Sequence, residues 1–580
     1  RGMETYGEDP FLMSVMGEAF VQGLQGDHPK YLKSAACAKH YVVHSGPEEL
    51  RHVFDAVASK KDMEETYFPA FRALVDAGVE GVMCAYNRTN GDACCGSDTL
   101  LVQVLRNQWG FDGYIVSDCW ALKDFHTEHM VTENAVQTAA LAARSTVNLN
   151  CGDIYNEHLI EAIDQGLIDE NLIDELLTNL FITRFKLGFF DPEENNPFRN
   201  IPDSVVGSHS HRELAKEAAQ KSMVLLKNKN NTLPLSKDIE YLYVTGPNAS
   251  TTETLLGNYY GLSPDMVTPL EGLSEKVSLG SMIQYKQGIL MDRPNVNPID
   301  WTTGEMKEAD AVIAFMGING LLEGEEGEAI ASDTKGDRIN MDMPQHQIEF
   351  LQKIRADSDV PIILVINAGS PMVMGELHEL ADAIIYAWYP GQEGGSAVAD
   401  IIFGDVSPSG RLPITFPKSL EQLPPYDDYS MDGRTYRYMT REPMYPFGFG
   451  LSFTTFEYTD LQLNKKQFDG DQPLELQVTV KNTGKVKGEE VVQMYLTDEE
   501  ASVQVPIMEL KAFKRVELAP GEQKTLTFEV SEDMLEVVNN DGNRIIEKGT
   551  YKVTIGGAVP IERSIELGGP KPVSASFELI

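Results

Sequence analysis

The chain has 580 residues, with 48 Lys and Arg against 88 Asp and Glu, so its formal net charge is −40. Acidic groups spread along the whole length repel phosphate backbones and anionic lipid surfaces, which argues against nucleic acid and membrane partners and leaves neutral substrates open. No apolar run approaches the roughly 18 residues needed to span a bilayer, and the length asks for two to four domains.

The sequence opens on Arg1-Gly2-Met3, which holds neither a natural start nor a signal peptide and reads as the beginning of a fragment or a processed form. The compartment is therefore weakly constrained, with the periplasm or secretion favoured, and a homodimer is left open. All six cysteines, Cys37, Cys84, Cys94, Cys95, Cys119 and Cys151, fall in the first 151 residues. Their spacings fit no paired C-x-x-C zinc pattern, so most are expected to be small buried apolar groups, with one or two disulfides open if the protein is exported.

Strands and helices alternate in the first section. Tyr31–His40, Val79–Asn87, Gly113–Cys119 and Ser145–Cys151 each read as a short strand, and Met63, Tyr67, Ala70, Phe71 and Leu74 place a helix over Asp62–Asp76. Four such βα units suggest half of an eight-stranded barrel, over residues 1–195. Its strands end in Lys39-His40, Tyr86-Asn87, Ser117-Asp118 and Asn150, and the active site of a βα barrel lies at the C-terminal ends of its strands.

A Pro- and Asn-rich loop, Phe189–Ser204, closes this section. Next, His211–Asn228 reads as a helix running into a strand, and near-continuous apolar strands follow at Ile239–Gly246, Ala309–Gly317, Val360–Gly369 and Ala381–Gly391. This pattern predicts an open, mostly parallel α/β sheet covered on both faces, over 210–425. The stretch Ser409–Phe453, rich in Gly, Pro and Tyr, reads as an ordered linker. Period-two alternation at Leu474–Gly484, Gly488–Asp498, Gln523–Ser531 and Gly549–Gly557 then predicts a fibronectin- or immunoglobulin-type β-sandwich over 455–580.

On its own, Asp118 is either a catalytic carboxylate or the cap of a following helix. Lys39-His40 is either a clamp on a ligand or a buried charge pair, and Tyr86 adds a hydroxyl to the same strand ends; a sugar ring needs several such fixed donors. A second acidic cluster, Glu323, Glu325, Glu326 and Glu328, lies in the loop Leu321–Arg338 after a strand of the α/β sheet. That loop is either a solvated surface feature or the source of a second carboxylate, protonated by burial beside a like charge. Hydrolysis of a glycosidic bond needs two carboxylates in split roles, roughly 5–5.5 Å apart when configuration is retained. "VTGPNAS" and "TKGDR" lack the order of phosphate-binding loops, and the histidines, His44, His52, His126 and His129 among them, show no H-E-x-x-H spacing. The sequence thus calls for no nucleotide, metal or other cofactor.

Together "RGMETYGEDPFL", "AACAKHYVVHSG", "VMCAYNRTNGDACCGSDTLL", "LRNQWGFDGYIVSDC", "KSMVLLKN", "GDRINMDMPQHQ", "YPGQEGGSAVADIIFGDVSPSGRLPITFP", "YPFGFGLSFTTFEY" and "MELKAFKRVELAPGE" resemble glycoside hydrolase family 3, collinearly over essentially the whole chain. The resemblance implies a retaining exo-acting β-glycosidase that removes terminal β-D-glucose, or alternatively β-D-xylose, from oligosaccharides or aryl glycosides. It places the nucleophile on Asp118 and the acid/base on Glu325, with Glu323 and Glu326 as rivals. Arg1, Lys39, His40, Tyr86 and Trp120 would bind the sugar. It also implies that the first half of the barrel is absent, so that the chain as given is expected to expose strand edges. The Ser-Asp-Cys at the nucleophile resembles the xylosidase branch, whereas many glucosidases carry Trp directly after the aspartate. No His-Asp motif of the N-acetylglucosaminidase branch is present. A non-catalytic sugar-binding module is the alternative from another class.

Overall fold

The computed structural model describes residues 4–257, 260–261, 263–297, 299–470 and 472–580. In the first unit, β1 (Cys37–Tyr41), β2 (Gly81–Cys84) and β3 (Tyr114–Ser117) pair in parallel in that order, Cys37 opposite Gly81 and Gly81 opposite Tyr114. Helices α1 (Pro10–Gln25), α2 (Pro69–Asp76), α3 (Ala135–Arg144) and α4 (Glu170–Lys186) pack around them, with a further helix at Ile154–Asp164 between the last two. The start of α1 is fixed by Asp9, whose side chain accepts the Leu12 N–H, and by Pro10 at the first helical position, where a missing N–H costs nothing.

Two expectations change here. The helix predicted over Asp62–Asp76 is interrupted by a wide π turn at Met63–Tyr67, closed by Phe68 N–H to Met63 C=O, before α2 begins at Pro69. Proline cannot supply an N–H in mid-helix and crowds the carbonyl four residues back, so the preceding turn widens. The expected fourth strand, Ser145–Cys151, is a turn with a single parallel bridge from Leu149 to Val116. There Asn148 Oδ1 takes the Ile115 N–H at 2.8 Å, a side chain substituting for a main-chain ladder partner. Among the described residues the three strands form an open arc, and no closed barrel is present.

The second unit is a six-stranded sheet built from β4 (Val224–Asn228), β5 (Tyr241–Thr245), β6 (Met282–Lys286), β7 (Ala311–Gly317), β8 (Ile362–Asn367) and β9 (Ala383–Tyr386), in the order β4-β9-β8-β7-β5-β6. All neighbours are parallel except β4 and β9. Every residue of β7, β8 and β9 is buried, and side chains alternate between two cores. Tyr243, Val312 and Leu364 face one and Leu242, Ile313 and Val365 the other, as expected for a sheet covered on both sides. Helices α5 (His209–Ser222), α6 (Gln345–Asp357) and α7 (Gly394–Ile402) supply that cover. The edge strand β6 went unread in the sequence because its residues are only half-buried and carry no apolar run.

The third unit is a β-sandwich. One sheet joins β10 (Phe456–Leu463), β11 (Leu474–Asn482) and β14 (Gln523–Val530). The other runs β16 (Val573–Leu579), β15 (Gly549–Gly556), β12 (Gly488–Asp498), β13 (Glu509–Leu518), with the short pair Gln467–Phe468 beside β16. Tyr436, Phe447, Tyr495 and Leu510 form a small core that also takes in Phe11 and Leu12 of α1, so linker, sandwich and first unit share apolar contacts.

Candidate active site

Asp118 directly follows β3 and is 8% exposed. Its main-chain N–H bonds Cys84 C=O at the end of β2, and its Oδ1 accepts the next N–H, that of Cys119, at 2.8 Å. A helix cap would accept from a residue two or three positions on, and the next helical turn starts only at Asp124, so the bond from Cys119 is not a helix cap. Its Oδ2 lies 3.5 Å from Nε2 of His40, the penultimate residue of β1, and the His40 ring packs 4.4 Å from that of His44. Lys39 Nζ lies 3.5 Å from Glu4 Oε2. The neighbouring Ser117 hydroxyl is held by the Cys151 N–H and the Asn150 amide at 3.0 and 3.1 Å.

The segment after Asp118 is tied down covalently. Cys119 is disulfide-bonded to Cys151, and Cys84, at the end of β2, to Cys95. Four of the six cysteines are thus paired, where the spacings predict mostly small buried apolar groups; Cys94 is buried and free of a disulfide, and Cys37 is free of one and exposed. Trp120 sits at φ +67°, donates its N–H to Cys151 C=O, packs over Gly152 and leaves about half its surface open. Arg1 lies outside the described residues.

The glutamates of the second unit separate by environment. Glu323 is buried within its own unit, where its carboxylate accepts the Gly369 N–H at 2.7 Å, the Tyr389 hydroxyl at 3.1 Å and the Ser370 hydroxyl. Glu325 is half-buried in a turn whose Glu328 and Ala329 N–H groups bond its carbonyl. Glu326 reaches across to the first unit: its Oε2 lies 3.4 Å from His52 Nε2 and 3.7 Å from Arg51 Nε. His52 in turn packs edge-on against Tyr86, ring centroids 5.5 Å apart, and its Nδ1 lies 2.7 Å from Asp124 Oδ2. The bond to Asp124, opposed by partial burial and helped by the charges of Asp124 and Glu326, raises the His52 pKa to about 9, so the ring is cationic at neutral pH.

The structure therefore gathers Asp118 and His40 at the strand ends, with Tyr86 on the neighbouring strand exit, and brings Glu326 to the same unit through His52. Glu323 is turned away into the second sheet. Sequence reasoning missed Arg51, His52 and Asp124, which follow no spacing rule and become neighbours only through the return of the loop after β1. Among the described residues no group of three or more His, Cys, Asp or Glu is arranged to hold a metal ion, and no helix is long and apolar enough to cross a membrane.

A strand-end carboxylate with its flanking imidazole and an acidic loop from a separate α/β unit are thus brought to the junction of the first two units. The glycosyl hydrolase family 3 N-terminal domain matches residues 1–181, its C-terminal domain 223–453, and a fibronectin type III-like domain 490–559. A β-xylosidase of Formosa agariphila is 36% identical over 96% of this chain and 79% of its own length. A periplasmic β-glucosidase of Salmonella typhimurium is 32% identical over 96% of this chain and 76% of its own. A solved family 3 exo-β-xylosidase bound to a xylobiose aziridine probe superposes with a TM-score of 0.88, at 30% identity, over all of this chain and 76% of that one. The chain belongs to glycoside hydrolase family 3, and it is a glycoside hydrolase with the α/β units and the fibronectin-like sandwich of that family.

Proposed function

We propose that the protein is a retaining, exo-acting β-glycosidase with Asp118 as nucleophile and Glu326 as acid/base. The observation that carries this reading is the approach of Glu326, from the second unit, to the loop that flanks Tyr86 and the Asp118 strand ends. In the first step Asp118 attacks the anomeric carbon as the glycosidic C–O bond breaks, and the acid/base gives its proton to the departing oxygen. In the second, the same residue takes a proton from water, which displaces Asp118 and restores the free sugar with its configuration retained. Lys39, His40 and Tyr86 would hold the sugar hydroxyls, Trp120 would wall the entrance, and Arg1 would add a further donor. The motif resemblance favours Glu325 for the acid/base; the contacts of the Glu326 carboxylate with Arg51 and His52 of the first unit are what supports Glu326. The first unit would span 1–195, the second 210–425 and the sandwich, bracing both, 455–580.

For the sugar we take β-D-xylose first. The more similar of the two relatives above is named a xylosidase, and the Cys119 that follows the nucleophile agrees with that branch. β-D-glucose is the second reading, favoured by the glucosidase relative. Initial rates on an aryl β-D-xyloside and an aryl β-D-glucoside, with Asp118→Asn as control, decide between them. Faster xyloside cleavage that disappears in the variant supports the first reading, and faster glucoside cleavage the second. No cleavage of either, or full activity in the variant, overturns the enzymatic assignment of Asp118 and returns the sugar-binding alternative.

A further inference from the structure

Residues 44–54, which lead away from β1, carry charged groups to the junction between the first two units. Glu48 and Arg51 are both buried and joined by two hydrogen bonds, from Arg51 Nε and Nη2 to the Glu48 carboxylate at 3.0 and 2.5 Å. The same carboxylate accepts the Asp337 N–H at 3.1 Å, and Arg51 Nη2 lies 3.9 Å from Asp337 Oδ2. Gly336 approaches so closely that a Cβ there would stand 2.5 Å from the Glu48 carboxyl carbon. At the other end of the acidic loop, His52 lies between Asp124 of its own unit and Glu326.

A buried ion pair is a poor way to gain stability, because desolvation of both charges consumes most of their attraction and apolar residues of equal volume do as well. What a pair at this place adds is geometry. Glu48 accepts the main-chain N–H of Asp337, Arg51 faces the Asp337 carboxylate, and Arg51 and His52 meet the Glu326 side chain, so the first unit holds the loop at two points. Between them Gly327, at φ +82°, donates its N–H to Lys335 C=O, so the chain from one point to the other folds back on itself.

We propose that Glu48, Arg51 and His52 are positioning residues that dock the acidic loop of the second unit against the first and fix the direction of the Glu326 carboxylate. This rests on Glu326 being the acid/base. Proton transfer to a leaving oxygen requires the carboxyl to come within about 2.6–3.2 Å of it, so a loop that drifts by an ångström loses the acid without losing the nucleophile.

The test compares kcat/KM, which reports the first step, for a phenyl and a 2,4-dinitrophenyl glycoside of the sugar that the enzyme cleaves faster. Phenolate needs the proton and dinitrophenolate does not. His52→Gln and Gly336→Ala are expected to lower the phenyl value about 10- to 100-fold and to leave the dinitrophenyl value within about threefold. Gly336→Ala keeps every charge, so it tests the docking itself, and hydrogen exchange across 321–338 should rise in it. Equal losses with both leaving groups, or no loss with either, overturn the proposal. Glu326→Gln run beside them separates the two readings. If Glu326→Gln shows no leaving-group dependence and Glu325→Gln does, the acid/base assignment falls, and the exchange data alone then decide whether Glu48 and Arg51 dock the loop.

Discussion

His40 Nε2 stands 3.5 Å from Asp118 Oδ2, and both side chains are all but closed to solvent. An imidazole at that distance can orient the carboxylate and reach a sugar hydroxyl, while the Cys119 N–H fixes the other oxygen. Asp118→Asn should therefore lower kcat at least roughly 1,000-fold with the fold intact, since an amide cannot attack the anomeric carbon. A 2-fluoro glycoside should label Asp118 in the parent enzyme and nothing in the variant; label on another residue would relocate the nucleophile.

Reduction should weaken the first unit. The Cys119–Cys151 bond spans a separation of 32 residues, which in the chain-entropy picture corresponds to about 4 kcal/mol against the unfolded state. The double substitution Cys119→Ser, Cys151→Ser should lower the first thermal transition and slow turnover, because it frees the segment that follows Asp118. Unchanged melting and turnover in the double variant would show that the bond constrains nothing of consequence.

The His52 contact gives a pH signature. Its pKa is raised in the folded protein, so its contribution is complete below the ordinary histidine value near 6.5 and is lost as pH rises through about 9. The parent should melt higher than His52→Gln at pH 6, and the gap should close by pH 9.5. The side chain is more than a third exposed, so the effect is small, but its direction is fixed. A gap that widens with pH contradicts the charge assigned to His52.

Arg437 ties the linker to the sandwich. It is 1% exposed and lies 2.7 Å from Glu509 and 3.8 Å from Glu65. Arg437→Met removes the cation shared by the two carboxylates and leaves Glu65 to Lys61 and Glu509 to Lys511, so the melting temperature should fall. Burial alone would raise the Glu509 pKa, but Lys511 and Arg437 outweigh it and bring it down to about 2. The stability due to Glu509 is thus present above pH 4.5 and lost as pH falls toward 2, and Glu509→Gln should flatten that part of the acid titration.

Much of this was legible in the chain. Buried parallel strands such as Ala311–Gly317 declare themselves because all seven residues are buried, and Asp118 stands out because a charge follows such a run. The acidic loop could be found and the motif resemblance put Glu325 first in it, but its rivals Glu323 and Glu326 could not be told apart, since they differ only in which neighbours the fold supplies. Glu323 meets Gly369 and Tyr389, some 46 and 66 positions away, and Glu326 meets His52, 274 positions away. No periodicity carries contacts at such separations. Ser145–Cys151 was misread for the opposite reason: its strand-like pattern is local, and Asn148 defeats it by offering a side-chain oxygen where a ladder would use main chain.

The loop after β1 touches more than the acidic segment. Its Gly46 N–H bonds the Tyr429 hydroxyl at 2.7 Å, and Phe54 packs against the same ring, so the connecting segment leans on it as well. One short stretch is thereby complementary to two distant parts of the same polypeptide. Recombination between family members should respect that dependence: a chimera that takes its α/β unit from one parent and residues 44–54 from another pairs surfaces with separate histories, whereas a crossover that transfers the loop together with 321–338 and Tyr429 keeps them matched.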